Sequence, residues 1–354
     1  MRNWPNFLIT SFSLSPLELN VNIPPKKKRM SDLKNKSGGL EPEEAFSKPV
    51  YYVIAGVYAL LAVTGISLNT LVIVAFVRDR SLRTSSNRLI LSIATGDWLH
   101  SLLAYPLGIV SSTSQSWRMG GVSCTWYAFI TSFLSFGVIL HHAAFSIERA
   151  ITINYCQAWI SIKGKINFVI GGLWTFALLW GLCPLFGWSA YVPEGAGVYC
   201  SIRWQSSDLL DMIFVVCLFF FFFFIPIVAM VTAYSSIYHS LKKLTQNAHV
   251  IWGKRAAPTV EARQAEKKTA RMAFIMSICF VFAWTPYAVV SFYSVITTSQ
   301  NISPFVATIP SMFAKTSVCY NPIIYFLLYK KFRDSIGQTL RSPCCQDSGA
   351  VDHL

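Results

Sequence analysis

Seven long apolar segments, separated by short polar links, constrain the fold of this 354-residue chain more than any other feature. In chain order, spans 1 to 7 cover residues 51–77, 89–110, 124–147, 166–188, 209–234, 272–295 and 304–328. About 20 apolar residues suffice for a helix to cross a bilayer. The strands of a membrane barrel alternate polar and apolar residues, so continuous runs argue against that architecture. The sequence predicts an all-α membrane protein built as a seven-transmembrane helix bundle.

The bulk composition excludes other classes. The chain is 53% hydrophobic and only 13% charged, which suits neither a soluble domain nor a disordered chain. Residues 1–50 contain no apolar core of a cleavable signal peptide, so we expect an extracellular tail before a bundle over 51–328. Residues 329–342 are basic and amphipathic and predict a short inner eighth helix, followed by a cytoplasmic tail over 343–354.

The positive charges lie mainly on one side of the predicted bundle. On that side lie three loops and the segment after span 7. The segments 78–88, 150–165, 236–271 and 329–342 contain 4, 2, 8 and 4 Lys or Arg residues, respectively. The opposite loops, 112–123, 189–208 and 297–303, hold only Arg118 and Arg203. Basic loops stay in the cytoplasm. We therefore expect a multi-pass protein of the cell membrane with its N-terminus outside. A basic inner face suits anionic lipid and an acidic partner, and gives no reason to invoke nucleic acid.

Several positions suggest covalent modification. Cys124 and Cys200 both face an oxidising space, so a disulfide between them is plausible. Asn35 opens an Asn-Lys-Ser glycosylation sequence in the outer tail. Cys344 and Cys345 follow the amphipathic segment and are candidates for acylation. The sequence predicts no metal site.

Lys315 lies midway along span 7 with no acidic residue nearby in that helix. An ionisable group in hydrocarbon is costly and usually functional. Burial favours the neutral amine, which can attack an aldehyde to form a Schiff base. The alternative is an ion pair with a carboxylate from another helix.

Glu194 is the candidate anion for such a site. It lies six residues before Cys200, so a disulfide that folds the loop inward would carry it towards the bundle interior. At an effective dielectric near 20, a charge at ~4 Å is worth roughly 4 kcal/mol. The alternative is a solvated loop glutamate.

Other polar residues inside the spans suggest a switch. Asp97, Asn69 and Asn321 could form a polar cluster that holds water or sodium, or a structural network. Glu148 and Arg149 close span 3, and Glu266 at the foot of span 6 could clamp Arg149, although ordinary interface contacts are the alternative.

Prolines within the spans provide kinks about which helices can pivot. They are Pro226, Pro286 and Pro322. Trp284 lies close to Pro286, positioned to press on a ligand. His141 and His142 are unusual inside a span, and the sequence suggests no role for either.

Across residues 50–335 the chain resembles a rhodopsin-like (class A) G-protein-coupled receptor. The resemblance rests on one signature per helix: Asn69; Asp97; Cys124 with Arg149; Trp174; Pro226 with Tyr234; Trp284-Thr285-Pro286; and Asn321-Pro322-Ile323-Ile324-Tyr325. Lys315, six residues before Asn321, is similar to the retinal lysine of the opsins. The resemblance implies covalent retinal at Lys315, 11-cis in the dark, in a pocket with Tyr127, Trp284, Tyr287, Phe280 and Phe223.

Two departures from the vertebrate visual opsins are informative. Tyr127 stands where they carry a counterion glutamate, three residues after the span 3 cysteine. The chain therefore resembles invertebrate and non-visual opsins, in which the loop glutamate is the counterion and the photoproduct is often stable and reconvertible by light. The usual Asp/Glu-Arg-Tyr motif reads Glu148-Arg149-Ala150, which leaves the arginine in place.

The resemblance also implies a mechanism and partners. Light isomerises retinal to the all-trans form, Trp284 is displaced, and span 6 swings at Pro286. The Arg149–Glu266 clamp then parts, and Tyr234 and Tyr325 move towards Arg149. A heterotrimeric G protein is the implied partner, followed by arrestin and a receptor kinase.

Two rival functions are compatible with Lys315. An opsin-type retinal photoisomerase would share Lys315 and Glu194, but it need not keep Arg149, Glu266 and the Asn321–Tyr325 motif. A receptor for a diffusible ligand would use Lys315 to pair a ligand carboxylate. The expected function is light-activated signalling and not enzymatic catalysis.

Overall fold

The computed structural model describes residues 45–251, 257–297 and 302–341, and it confirms the predicted bundle. Span 1 is Lys48–Arg78, span 3 is Gly121–Asn154, span 4 is Ile166–Leu182 and span 6 is Ala257–Thr297. Span 5 runs through Leu209–Phe219, a π-helical turn at Phe220–Phe224, and Ile225–Ile251. Among the described residues, 5 helical stretches are long and apolar enough to cross a membrane, namely Lys48–Arg78, Gly121–Asn154, Gln157–Phe186, Leu209–Lys243 and Glu266–Thr297.

Spans 2 and 7 are each divided into shorter helices. Span 2 consists of Asn87–Leu103 and Tyr105–Thr113, and span 7 consists of Pro304–Lys315, a 3-10 turn at Thr316–Cys319, and Tyr320–Leu328. The break in span 2 precedes Pro106, which lacks an N–H and is tolerated at the start of a helix. Lys315 is therefore the last residue of a helix, not the middle of a continuous one.

The remaining helices are short. They are the 3-10 turn Arg80–Leu82, the helix Cys156–Ile162, and the 3-10 turns Lys163–Lys165 and Cys183–Phe186. The last of these ends span 4 earlier than the apolar pattern predicts, because Pro184 interrupts the α-helix. The expected eighth helix is present at Lys330–Arg341, and its Phe332 packs edge-on against Tyr325.

A two-stranded hairpin covers one end of the bundle. Strand β1 (Tyr191–Glu194) pairs antiparallel with β2 (Tyr199–Ile202), so that Glu194 lies opposite Tyr199. A disulfide between Cys124 and Cys200 ties β2 to the start of span 3, as predicted. We call this the hairpin end of the bundle, and the opposite end the Arg149 end.

The surface of the bundle suits lipid. Large apolar side chains such as Phe168, Val228, Phe282 and Leu327 are exposed on the outer faces of the spans. Apolar patches of this extent are rare on soluble proteins. The interior is closely packed: a Cβ added to Gly137 would lie 2.0 Å from the Trp174 ring. The chain is a multi-pass membrane protein.

Candidate functional site

A cavity lies inside the bundle, beneath the hairpin. It encloses about 1120 Å³ free of protein atoms, counting the part that opens to solvent. Its polar lining includes His100, Ser135, Glu194, Tyr287, Ser311 and Lys315, and its aromatic lining includes Phe136, Phe219, Phe222, Phe223, Phe280 and Trp284. A mostly apolar pocket with a few convergent polar groups is typical of a small-molecule site.

The amine of Lys315 projects into this cavity. Its Nζ donates to the hydroxyl of Ser311 at 2.7 Å and lies 4.6 Å from the centre of the Tyr199 ring. Its backbone carbonyl accepts from Tyr105 at 2.8 Å. In the described ranges, no carboxylate lies within 4.0 Å of this amine. The alternative of a direct ion pair with another helix is therefore not what this structure contains.

Glu194 is buried in the cavity wall and is not a solvated loop residue. Trp204 Nε1 donates to its Oε1 at 2.7 Å, and the Tyr287 hydroxyl lies 3.4 Å from its Oε2. Burial raises the pKa of the Glu194 carboxyl above its usual range, while these donors and the charge of Lys315 oppose that rise. A cation fixed in the cavity would therefore favour the ionised carboxylate.

Of the five aromatic residues expected around a ligand, Tyr127 does not line the cavity, and the other four do. Trp284 is stacked on Phe280 with ring centroids 5.9 Å apart, and it is edge-on to Tyr287 at 6.2 Å. The indole of Trp284 donates to Ser317 at 3.2 Å, which links span 6 to the break in span 7. Phe223 also lines the cavity, from the π-helical turn of span 5.

Tyr127 is not part of the cavity lining. Its hydroxyl lies 2.8 Å from that of Tyr58, and its ring packs against Trp117. The residue that replaces the vertebrate counterion thus joins a tyrosine pair between spans 1 and 3.

The polar cluster expected in mid-bundle forms in part. Asn321 Nδ2 donates to Asp97 at 2.9 Å, which joins spans 7 and 2 just before Pro322. Asn69 instead donates to the carbonyls of Gly65 and Val318, at 2.9 and 3.0 Å. Asn69 therefore holds the 3-10 break of span 7 and makes no hydrogen bond with Asp97.

At the opposite end, Arg149 is buried in a network of anions. Its Nη1 lies 2.7 Å from Glu266 on span 6, and it also pairs with Glu148. Ser86 accepts from Arg149 as well. Pro286 lies inside the long helix of span 6, two residues beyond Trp284 as seen from this pair.

The two tyrosines expected to engage Arg149 lie elsewhere in this state. The Tyr234 hydroxyl accepts from Ser146 at 2.8 Å and lies 3.4 Å from the Ser277 hydroxyl. The Tyr325 hydroxyl is buried without a hydrogen-bond partner in the described part of the chain. The arrangement is that of a closed clamp.

Some predicted sites lie outside the described residues, namely Asn35, Cys344 and Cys345. Conversely, sequence reasoning missed His100, Ser311, Tyr199 and Trp204 around the cavity, and Ser86 at Arg149. Only His100 carried a usable signal, because an ionisable side chain within span 2 is unusual. The other four are ordinary residue types whose role depends on the fold.

Known proteins share this architecture. The family described as "7 transmembrane receptor (rhodopsin family)" matches residues 68–325. The chain belongs to this rhodopsin family. A melanopsin of Phodopus sungorus is 33% identical over 83% of the chain, and so is a melanopsin of Branchiostoma belcheri. The match spans 63% and 43% of those two proteins, respectively.

A solved structure agrees with this assignment. The crystal structure of squid rhodopsin has a TM-score of 0.78 and 30% identity to this rhodopsin-family chain, covering 86% of it and 89% of the squid chain. With melanopsins and squid rhodopsin as relatives, the chain is an animal opsin of the receptor type, as its resemblance implied.

Proposed function

We propose that this opsin is a light-activated receptor that carries retinal on Lys315 and signals to a heterotrimeric G protein. The observation that carries the proposal is the Lys315 amine, which lies in a buried aromatic cavity whose carboxylate, Glu194, is not in direct contact with it. This arrangement suits a covalently attached polyene aldehyde, which would fill the aromatic cavity, better than a free amine, which contacts the single ring of Tyr199.

The residues present fit the group. The amine lies at one wall and is oriented by Ser311, while Phe223, Phe280 and Trp284 provide flat apolar surface for a polyene. Bound as a Schiff base, retinal would supply light-driven isomerisation from the 11-cis to the all-trans form.

Glu194 would provide the negative charge for a protonated Schiff base. Glu194 lines the same cavity as Lys315 without forming an ion pair with it. At an effective dielectric near 20, charges ~8 Å apart would still attract each other by roughly 2 kcal/mol. Trp204 and Tyr287 hold the carboxylate in place. At such a distance, a small movement of the Schiff base would change its attraction to Glu194 only slightly. The Schiff-base nitrogen would therefore keep its proton after isomerisation, which supports a stable photoproduct that light can reconvert.

The aromatic residues and Arg149 would carry the signal. A change of ligand shape would push on Trp284 and weaken its bond to Ser317, and span 6 would pivot at Pro286. The Arg149–Glu266 pair would then part, and Tyr234 and Tyr325 would stabilise the open state. Such a shift requires a ligand that interacts differently with the two states.

The distribution of charge supports an orientation with the hairpin end outside and the Arg149 end in the cytoplasm. The disulfide at the hairpin end is consistent with an oxidising exterior. On the inner side the G protein would bind in the opened cleft, with arrestin and a receptor kinase as later partners and anionic lipid around the basic segments. Asn35 would be glycosylated, and Cys344 and Cys345 acylated.

Signalling is a better account than photoisomerisation alone. The buried Arg149, with its bridge to Glu266, belongs to a coupling end that an isomerase has no need to keep. Arg149 lies far from the retinal cavity and contributes nothing to its shape.

The proposal is tested by reconstituting the chain with 11-cis retinal. We expect a visible band that shifts with light, borohydride reduction that fixes the chromophore on Lys315, and light-dependent nucleotide exchange on a G protein. Lys315→Ala should abolish the band, with Lys331→Ala as a matched control at an exposed lysine. A band without exchange would support the isomerase, and reduction that labels no Lys315 peptide would refute the retinal site.

A further inference from the structure

His100 is a buried polar residue of the cavity that the mechanism above does not use. It lies in span 2, is 4% exposed, and lines the same cavity as Lys315 and Glu194. Its Nε2 has no hydrogen-bond partner among the described residues. A buried polar atom without a partner is costly, and in a ligand cavity the missing partner is commonly the ligand or a water bound with it.

His100 is also structurally connected to the attachment point. Its ring packs against Tyr105 with centroids 5.2 Å apart, and the Tyr105 hydroxyl donates to the backbone carbonyl of Lys315 at 2.8 Å. The imidazole is therefore positioned towards the attachment end of the cavity and away from the far aromatic end.

The other two histidines of the bundle core provide a comparison. His141 is satisfied, since it contacts Ser92 at 3.1 Å and the carbonyl of Gly137 at 2.8 Å. His142 has no partner for either ring nitrogen, but it does not line the cavity and is covered by the Phe280 ring at 5.0 Å. Of these three, His100 is the histidine whose unpartnered nitrogen can meet a ligand in the cavity.

We propose that His100 Nε2 accepts a hydrogen bond from the iminium N–H of the chromophore on Lys315, directly or through one water. The inference rests on the retinal attachment proposed above. An imidazolium beside an iminium would place two cations in one cavity, so the imidazole is neutral. A proton on Nδ1 then leaves the Nε2 lone pair free to accept. His100 and Glu194 would thus stabilise the same proton, one by a hydrogen bond and the other by charge.

Other titratable groups surround His100. Asp97 lies one turn away on its own helix, Tyr105 packs on its ring, Tyr58 packs on Tyr105, and Glu194 and Lys315 line the same cavity. Asp97 is hydrogen-bonded to Asn321 and does not line the cavity, whose lining contains the carboxyl of Glu194 and the amine of Lys315. The pH titration of the pigment must therefore compare variants that keep these neighbouring titratable residues unchanged, so that any shift comes from His100 alone.

The test compares His100→Leu with wild type, and uses His142→Leu as a matched control for loss of a buried, unpartnered imidazole. The first readout is the pH at which the visible band of the dark pigment converts to a near-ultraviolet band. The second is the shift of the C=N stretching frequency on deuteration, read by resonance Raman spectroscopy, which reports hydrogen bonding at the nitrogen. His100→Leu should lower the conversion midpoint by about one pH unit, roughly tenfold in the protonation equilibrium, and should change the deuteration shift.

His142→Leu should reproduce wild type in both readouts. His100→Met, which is apolar but more adaptable in shape, replaces His100→Leu if that variant does not fold. A pigment whose midpoint and deuteration shift are unchanged in the His100 variant, or changed equally in the His142 variant, overturns the inference while retinal attachment stands. Absence of any visible pigment in wild type would instead overturn the proposed function.

Discussion

Arg149 Nη1 lies 2.7 Å from Glu266 Oε2, and this contact joins span 3 to span 6 at the end of the bundle opposite the hairpin. The two partners differ in environment, because the Arg149 side chain is 3% exposed and that of Glu266 is 42% exposed. Solvent screens such a pair, so it contributes only about 0.2–1 kcal/mol to the closed state. Arg149 also pairs with Glu148, so parting from Glu266 would not leave its charge unpaired, and a ligand of modest differential affinity could open the clamp.

Glu266→Gln should raise signalling in the dark by about 1.4- to fivefold, because the closed state loses a contribution of this size. The measurement is the basal rate of nucleotide exchange on the G protein. Lys268→Gln changes a neighbouring exposed charge and should leave the basal rate unaltered. A Glu266 variant as silent as wild type would show that the ion pair does not hold the closed state.

Glu194→Gln should move the dark absorption towards the near ultraviolet at neutral pH. Loss of the carboxylate removes an attraction of roughly 2–4 kcal/mol for charges ~8 to 4 Å apart, so the Schiff base would lose its proton. Absorption spectra over a range of pH provide the measurement. Glu266→Gln, which removes a carboxylate at the other end of the bundle, is the control and should keep the visible band. An unchanged Glu194 variant would mean that another anion is used.

The raised pKa of Glu194 predicts a pH-dependent stability for the ligand-free protein. Between the ordinary carboxyl pKa and the raised one, the folded state holds a proton that the unfolded state has released. Stability therefore falls as pH rises through this window, by about 1.4 kcal/mol per pH unit. Glu194→Gln has no titrating group at this position. As pH rises through the same interval, its melting temperature should therefore increase relative to that of wild type. If the two melting temperatures differed by the same amount at every pH, the predicted effect of burying Glu194 would be contradicted.

The seven spans could be predicted because an unbroken apolar run of this length has few alternatives to a membrane helix. Lys315 could be singled out for the same reason, since a lone amine within such a run is conspicuous. The Arg149–Glu266 contact was also anticipated, because each residue ends a span on the same side of the membrane.

The position of the hairpin could not be derived in this way. The disulfide from Cys200 to Cys124 and the packing of the Gly195 turn against Thr308 hold the loop inward, and both of these partners are remote in sequence from Glu194. Gly195 has φ +57, and a Cβ there would lie 2.5 Å from Thr308. Similarly, the breaks of spans 2 and 7 decide which residues face the cavity. That is why His100 and Ser311 were not recognised as neighbours of Lys315.

Loss of the disulfide should uncouple the hairpin from the cavity. Cys124 and Cys200 are separated by 76 residues, and chain entropy predicts a stabilisation of roughly 4–5 kcal/mol for a loop of this length. Cys200→Ser should lower the melting temperature and reduce the yield of visible pigment, since Glu194 is no longer held in the wall. Cys217→Ser removes a free cysteine of span 5 and should affect neither. A Cys200 variant with normal pigment would show that β1 is held by its own contacts.

Close packing between spans 3 and 4 predicts a last stability effect. At Gly137 an added Cβ would lie 2.0 Å from the Trp174 ring, and Trp174 is held by its bond to Ser92 at 2.8 Å. Gly137→Ala must therefore move a helix or rotate the indole, and overpacking of this kind costs about 1–3 kcal/mol. Gly171→Ala is the matched control, because a Cβ there meets nothing within 4 Å and alanine favours the helix. Thermal unfolding in detergent should show a lower melting temperature for Gly137→Ala and an equal or higher one for Gly171→Ala. Equal melting temperatures for the two variants would mean that Trp174 yields at little cost, and that the contact between spans 3 and 4 is not rigid.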